Sequence, residues 1–138
     1  MLIPAISFAQ VTYDLLLKGG HVIDPKNHLN AVHDVAIAQG RIAAVAAEIP
    51  ASKAYKTVNV AGFYVTPGLV DIHTHVFACC HPPQQGALSV YPDSHTFRSG
   101  VTTVVDAGTS GWRTFPDFKR DVIDRSETRV LALLNIVG

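Results

Sequence analysis

The sequence predicts an α/β protein with a strand-rich first half and a second half in which strands and helices alternate. Of its 138 residues, 48% are apolar and 16% are charged, a balance typical of a folded chain with a core. Before residue 66, short apolar runs are separated by Gly-containing dipeptides. After Pro67–Gly68, strand-like and helix-like runs alternate, which implies parallel strands joined by crossover helices.

Residues 13–65 are predicted to form an antiparallel sheet of hairpins. The apolar run 14–18 stops at Gly19–Gly20, a turn signal. Strand-like runs flank both Gln39–Gly40 and Ala61–Gly62. Two residues with glycine second are typical of a tight hairpin, because glycine tolerates a positive φ.

Three buried strands are predicted in the second half, at residues 69–76, 101–105 and 129–137. Residues 106–111 are interpreted as a Gly-rich loop. In folds of parallel strands, the chemistry lies at the carboxyl ends of the strands. Polar residues at those ends are therefore the candidates for a functional site.

Two helices are predicted between these strands. Residues 91–99 form the first, with Gly100 at its carboxyl-terminal cap. Apolar residues recur at helical spacing from 115 to 123 and indicate the second. Thr114 can cap this helix, and Pro116 suits its first turn.

Composition excludes several classes of partner and scaffold. Eleven basic residues balance eleven acidic ones, so the basic excess of a nucleic-acid-binding protein is missing. No apolar run approaches the roughly 20 residues of a membrane-spanning helix. The only cysteines, Cys79 and Cys80, are adjacent, which excludes a disulfide framework.

Residues 1–11 carry a short apolar run with small residues at Ser7 and Ala9, like the end of a secretory signal cleaved after Ala9. A basic segment before this run is missing, so a disordered N-terminus is the alternative. The compartment stays open between the cytoplasm and the periplasm or exterior.

His73 and His75 are the strongest candidates for metal ligands. On a strand, side chains two residues apart share a face and lie about 6.5–7 Å apart along the chain. Two imidazoles can then converge on one ion at about 2.0–2.1 Å, with Zn²⁺, Fe²⁺, Co²⁺ or Ni²⁺ as suitable metals. Seven histidines give roughly 0.35 such pairs by chance, so two half-buried strand histidines are the alternative. The surrounding sequence favours the metal site.

The segment Pro67–His75 reads Pro-Gly-Leu-Val-Asp-Ile-His-Thr-His. It resembles the Pro-Gly-Leu-Ile/Val-Asp-x-His-x-His signature on the first barrel strand of the amidohydrolase superfamily. Residues 14–25 and 34–42 resemble the small β-sandwich of that superfamily. Residues 101–108 and 112–138 resemble its dihydroorotase-like deacetylase branch, which acts on N-acetyl amino acids and acetylated α-hydroxy acids.

This resemblance implies the N-terminal part of a (β/α)₈ TIM barrel, with about three strands, preceded by strands of a small β-sandwich domain. The implied organisation is 1–11 as signal or disordered segment, 12–66 as sandwich and 67–138 as the incomplete barrel. It also implies one or two divalent metals, most often Zn²⁺, with His73 and His75 as the first ligands. A carboxylated Lys, two His and an Asp that serves as general base are expected beyond Gly138. No catalytic residue is therefore assigned, and the chain is interpreted as a fragment that is inactive by itself.

Three polar residues near strand ends are weaker candidates for substrate contact or for support of the ligands. Asp71 either steadies a ligand histidine or bonds the backbone as a buried carboxylate. Asp106 either faces the substrate or caps the loop at Gly108. Asn135 either bonds a substrate polar group or is a structural amide.

The predicted reaction is hydrolysis of a C–N amide or ester bond in a small acylated substrate. The sequence leaves open whether the protein forms a homo-oligomer. One alternative is a non-catalytic amidohydrolase-like assembly protein. Another is a phosphate-binding α/β module using residues 108–111, although the Lys-Ser/Thr of a P-loop is missing. A soft-metal cluster of Cys79, Cys80 and His81 is less consistent with the resemblance than sequence drift in a loop.

Overall fold

The computed structural model describes residues 12–78 and 89–137, and the chain divides into two compact units between Pro67 and Gly68. The first unit contains five strands: β1 Tyr13–Asp24, β2 Leu29–Ala38, β3 Arg41–Ala46, β4 Ala54–Asn59 and β5 Tyr64–Val65. The second contains strands β6 Leu69–Thr74, β7 Val101–Gly111 and β8 Arg129–Asn135, with helices α1 Pro92–His95 and α2 Phe115–Asp121. Short 3-10 turns lie at Pro25–Asn27, Ala51–Lys53, Phe97–Ser99 and Ile123–Arg125.

The sheet of the first unit is mixed rather than antiparallel throughout. Its order is β3-β2-β1-β4, with β5 also beside β1. The hairpin between β2 and β3 is confirmed, and Gln39 and Gly40 at its turn have φ of 52° and 69°. The hairpin predicted at Ala61–Gly62 is wrong, because β4 and β5 both pair with β1 in parallel.

The turn predicted at Gly19–Gly20 is also wrong, because β1 runs through both glycines. The register with β2 shifts between Leu17 and Gly20, so the pair accommodates a β-bulge. Gly19 has a φ of 75°. A Cβ on Gly20 would lie 2.6 Å from a methyl carbon of Val65, so this glycine also permits a close approach.

A buried carboxylate joins three segments of the first unit. Asp34 accepts hydrogen bonds from Lys18 Nζ at 2.6 Å and from the backbone N–H groups of Gly19 and Ile49, both at 2.8 Å. Burial by itself disfavours the ionised form of Asp34. These bonds, led by that from Lys18, outweigh burial and hold the pKa of Asp34 below its usual range. The carboxylate is thus a structural part of the sheet.

The second unit confirms the predicted parallel α/β arrangement. Its three strands are all parallel in the order β6-β7-β8, with α1 between β6 and β7 and α2 between β7 and β8 along the chain. Gly100 ends the first helical segment at a φ of 74° and donates its N–H to Phe97 O, as predicted. Thr114 precedes α2 but makes no side-chain capping bond.

Two sequence-based predictions about these strands need correction. Residues 106–111 are not a loop, because β7 continues to Gly111. Strand β6 is not buried: Leu69, Val70 and Ile72 are 55%, 56% and 75% exposed. In β8 only Val130 is buried. Among the described residues, β6 and β8 are the two edges of a three-stranded sheet, so their apolar side chains lack neighbours on one side.

The core of this unit lies between the sheet and α2. It consists of six buried residues: Val76, Phe77, Val104, Phe118, Val122 and Val130. Val76 and Phe77 directly follow the histidine pair, so the chain is anchored in the core where β6 has ended. No helix within residues 12–78 and 89–137 has the length and apolar character needed to cross a bilayer.

Candidate metal centre

His73 and His75 lie together at the carboxyl end of β6. Their ring centroids are 5.5 Å apart and the ring planes meet at 80°. His73 is exposed and His75 is half-buried. Within the part of the chain that the structure describes, the buried Nδ1 of His75 has no hydrogen-bond partner. A buried nitrogen without a partner is unfavourable, and a second imidazole beside it makes the pair fit a divalent cation. His33 in the first unit has a similar nitrogen, but His75 is distinguished by its neighbouring ring.

The backbone of β6 is irregular at this pair. Between Asp71 and Thr74, β6 advances three residues while β7 advances two, which is the signature of a bulge. Asp71 Oδ1 accepts a hydrogen bond from the backbone N–H of His73 at 3.0 Å. Asp71 therefore bonds the backbone, as one of the two interpretations of the sequence predicted. It is exposed, however, and not buried as that interpretation expected. Bulges next to active sites re-aim the neighbouring side chains.

Three consecutive residues are then tied to their surroundings. Thr74 donates its hydroxyl to Val105 O at 3.1 Å. His75 O accepts from the N–H of Val90 at 3.0 Å. The N–H of Val76 donates to Asp106 Oδ2 at 2.9 Å. The backbone that carries His75 is thus held on both sides of the residue.

Asp106 is completely buried and its carboxylate is used internally. Besides Val76 it accepts from the N–H of Thr109 at 2.8 Å and from the Thr109 hydroxyl. The local cap predicted at Gly108 is thus made at Thr109. Thr109 was missed from sequence, although an Asp followed three residues later by a hydrogen-bond donor is a known local pattern.

Asn135 lies at the carboxyl end of β8 and bonds backbone atoms. Its Nδ2 donates to Gly108 O at 3.4 Å and its Oδ1 accepts from the N–H of Val137 at 2.9 Å. These contacts match a structural amide. The phosphate loop considered for residues 108–111 is wrong, because these residues continue β7 and the hydroxyl of Ser110 is buried against Gly111 O.

The described residues contain no group of three or more His, Cys, Asp or Glu that could hold a metal. The structure brings His73 and His75 together, but Asp71 and Asp106 are engaged with backbone N–H groups. Cys79, Cys80 and His81 lie outside the described residues. Among the described residues, the candidate site therefore consists of His73, His75 and the hydrogen bonds that hold their backbone.

Several proteins have sequences similar to that of this chain, although no model of a protein family matches it. A deacetylase of Enterococcus faecalis is 37% identical over 125 residues, which are 90% of this chain and 31% of the relative. A dihydroorotase of Elusimicrobium minutum is 37% identical over 90 residues, which are 64% of this chain and 20% of the relative.

Solved structures share the fold. An adenine deaminase superposes with a TM-score of 0.70 at 37% identity, covering 91% of this chain and 31% of its own. A dihydroorotase gives 0.70 at 29%, covering 88% and 31%. D-aminoacylase, described as defining a subset of amidohydrolases, gives 0.54 at 35%, covering 70% and 19%. The chain belongs to the amidohydrolase superfamily. This amidohydrolase chain spans about a third of the length of the deacetylase.

Membership explains the layout of the second unit. The parallel strands β6, β7 and β8 of this amidohydrolase correspond to the N-terminal portion of a TIM barrel. The D-aminoacylase has been studied for the functional role of its binuclear metal centre. This chain is thus similar to a protein with a metal centre, and it carries a histidine pair at the end of β6.

Proposed function

We propose that this chain supplies the first two metal ligands, His73 and His75, of a hydrolase that cleaves C–N amide or ester bonds in small acylated molecules. The observation that carries the proposal is the half-buried His75, whose Nδ1 is buried without a partner among the described residues, beside a second imidazole 5.5 Å away. The names of the relatives, deacetylase and dihydroorotase among them, support the reaction class.

The two histidines have unequal roles in this proposal. His75 is fixed by the links at residues 74–76 and offers a preorganised nitrogen. His73 is exposed on the bulge, where the hydrogen bond from its N–H to Asp71 Oδ1 fixes its backbone but leaves its ring accessible. A bound divalent cation, most often Zn²⁺ in such sites, supplies Lewis acidity that lowers the pKa of water toward about 7 and polarises a carbonyl oxygen.

The remaining ligands and the general base are expected from other parts of the protein, as the family resemblance implies. An N-acetyl amino acid or an acetylated hydroxy acid is the substrate class that this resemblance favours. Because the chain has no basic excess, we propose a small acylated molecule rather than a nucleic acid as its partner.

Zinc binding of the 138-residue chain tests the proposal. Equilibrium dialysis against Zn²⁺ is expected to show binding by the wild type and a loss of affinity of about tenfold or more in His73→Ala and in His75→Ala. His95→Ala, which removes an exposed imidazole from α1, is the matched control and is expected to bind like the wild type. Equal binding by all four proteins, each shown to be folded by circular dichroism, would refute the proposal.

A further inference from the structure

We propose that Asp106 is a positioning residue for His75: its buried carboxylate fixes the backbone beside the histidine and thereby sets the affinity of the metal site. This inference rests on the proposed function and extends it to a residue 31 positions further along the chain. Asp106 acts on His75 through the backbone of Val76, from whose N–H it accepts a hydrogen bond.

Val76 connects Asp106 to the histidine. Its N–H is the first backbone donor after His75, and it donates to Asp106 Oδ2 at 2.9 Å. The side chain of Val76 is buried in the core, so the residue is fixed by packing and by this bond together. On the other side of His75, the Thr74 hydroxyl bonds Val105 O, and Val105 directly precedes Asp106. The two flanks of the histidine are therefore bonded to two adjacent residues of β7, Thr74 to Val105 and Val76 to Asp106.

The carboxylate of Asp106 is a stronger acceptor than an amide would be. The Asp106 carboxylate receives two backbone N–H groups and the hydroxyl of Thr109 while completely buried. Bonds to an ionised acceptor are roughly twice as strong as those between neutral groups. In an asparagine only one oxygen remains, because the amide nitrogen is a donor. Whichever way that amide turned, Val76 would keep at most a neutral hydrogen bond.

A second carboxylate in the same unit provides a matched control. Asp93 on α1 also accepts two backbone N–H groups and one threonine hydroxyl, from Glu127 at 3.0 Å and from Thr128 at 2.9 Å and 2.6 Å. Thr128 directly precedes β8, so this carboxylate serves the amino end of a strand, opposite to the end that carries the histidines. Removing either carboxylate breaks a similar set of bonds, but only one set borders His75.

The experiment compares Asp106→Ala with Asp93→Ala in the 138-residue chain, and Asp106→Asn with Asp93→Asn as volume-preserving versions. Zinc affinity is measured by titration calorimetry at pH 7, and amide hydrogen exchange of Val76 reports its bond directly. We expect Asp106→Ala to weaken zinc binding by about tenfold and Asp106→Asn by less, with faster exchange at Val76 in both. Both Asp93 variants should bind zinc like the wild type although their unfolding temperatures fall.

Two results would overturn the inference alone. One is wild-type zinc affinity in a folded Asp106 variant whose Val76 amide exchanges faster. Another is an equal loss of affinity in the Asp106 and Asp93 variants, which would indicate general loosening of the unit. If the Asp106→Ala chain does not fold, the same criteria apply to Asp106→Asn. A wild type that binds zinc no better than His75→Ala would instead refute the proposed function itself, and the positioning role with it.

Discussion

Replacement of Phe118 by alanine should destabilise the unit that carries the histidine pair more than any surface change. Phe118 on α2 is completely buried. Its ring stacks on Phe77 with centroids 4.8 Å apart and meets Phe115 edge-on at 6.3 Å. Phe77 lies two residues after His75, so the same contact connects the core to the candidate site.

The expected loss follows from burial and from the ring contacts. Replacing a buried phenylalanine by alanine lowers the free energy of unfolding by about 3–5 kcal/mol. The substitution removes the ring contacts of Phe118 with both Phe77 and Phe115. Each such contact contributes about 0.5–1.5 kcal/mol beyond the area buried. A value of about 4 kcal/mol is therefore expected, nearly three powers of ten in the ratio of folded to unfolded molecules.

Urea unfolding measured at Trp112 tests this value. Trp112 is the only tryptophan of the chain and lies in the second unit, so its fluorescence follows that unit. Phe97→Ala is the matched control, because Phe97 is 51% exposed in the same unit and should change stability by only about 0.5 kcal/mol. A loss below about 1 kcal/mol for Phe118→Ala, or equal losses for both variants, would refute the packing argument.

Further changes test other features of the fold. Asp34→Asn should lower the stability of the first unit by about 2 kcal/mol at pH 7. Because the pKa of Asp34 is depressed in the folded chain, its stabilisation is present above about pH 4 and is lost as the pH falls further, so the difference from wild type should shrink in acid. Urea unfolding by circular dichroism at pH 7 and pH 3 checks this, with Asp14→Asn as an exposed control, and a constant difference would contradict it. Gly68→Ala should cost about 1–3 kcal/mol, because its Cβ would lie 2.0 Å from Thr102 Oγ1. In a chain that already carries Thr102→Gly, the same change should cost less than about 1 kcal/mol, and an undiminished cost would rule out this contact as the cause.

The sequence was informative where the signal is local. The β2–β3 hairpin follows from glycine at a two-residue turn, and the end of the first helical segment from Gly100. The alternation of strands and helices after Pro67 predicted the parallel sheet. The turn and the helix end depend on residues within a few positions of one another, and each strand or helix of the alternation is recognised from its own short run, so spacing and residue type are sufficient to predict them.

Features that depend on distant pairing could not be predicted in this way. The partners of β4 and β5 lie some 40 residues earlier, in β1, and no local pattern distinguishes a parallel partner from a hairpin. Two adjacent glycines indicate a turn as readily as a bulge, and only the register with β2 separates the two at Gly19–Gly20. The exposure of β6 likewise depends on which strands lie beside it rather than on its own apolar residues.

The candidate site shows the same division. His73 and His75 were predicted as metal ligands from a nine-residue string, and the structure places their rings 5.5 Å apart. The support of the pair was not found, because the bond from Val76 to Asp106 crosses 30 residues. Asp106 was selected for its place at a strand end, and its partner Thr109 became evident only with the geometry.

The attachment of β6 to β7 also constrains how this gene segment can vary in length. Gly68 lies against Thr102 at one end of β6, and Val76 is bonded to Asp106 at the other. Because successive residues of a strand face opposite ways, one codon inserted or deleted between Gly68 and Val76 would move His73, His75 or both to the other face of the strand. Point substitutions at exposed positions such as Ile72 leave the number of residues between Gly68 and Val76 unchanged. Natural and designed libraries of this segment should therefore contain many residue exchanges but very few changes of length.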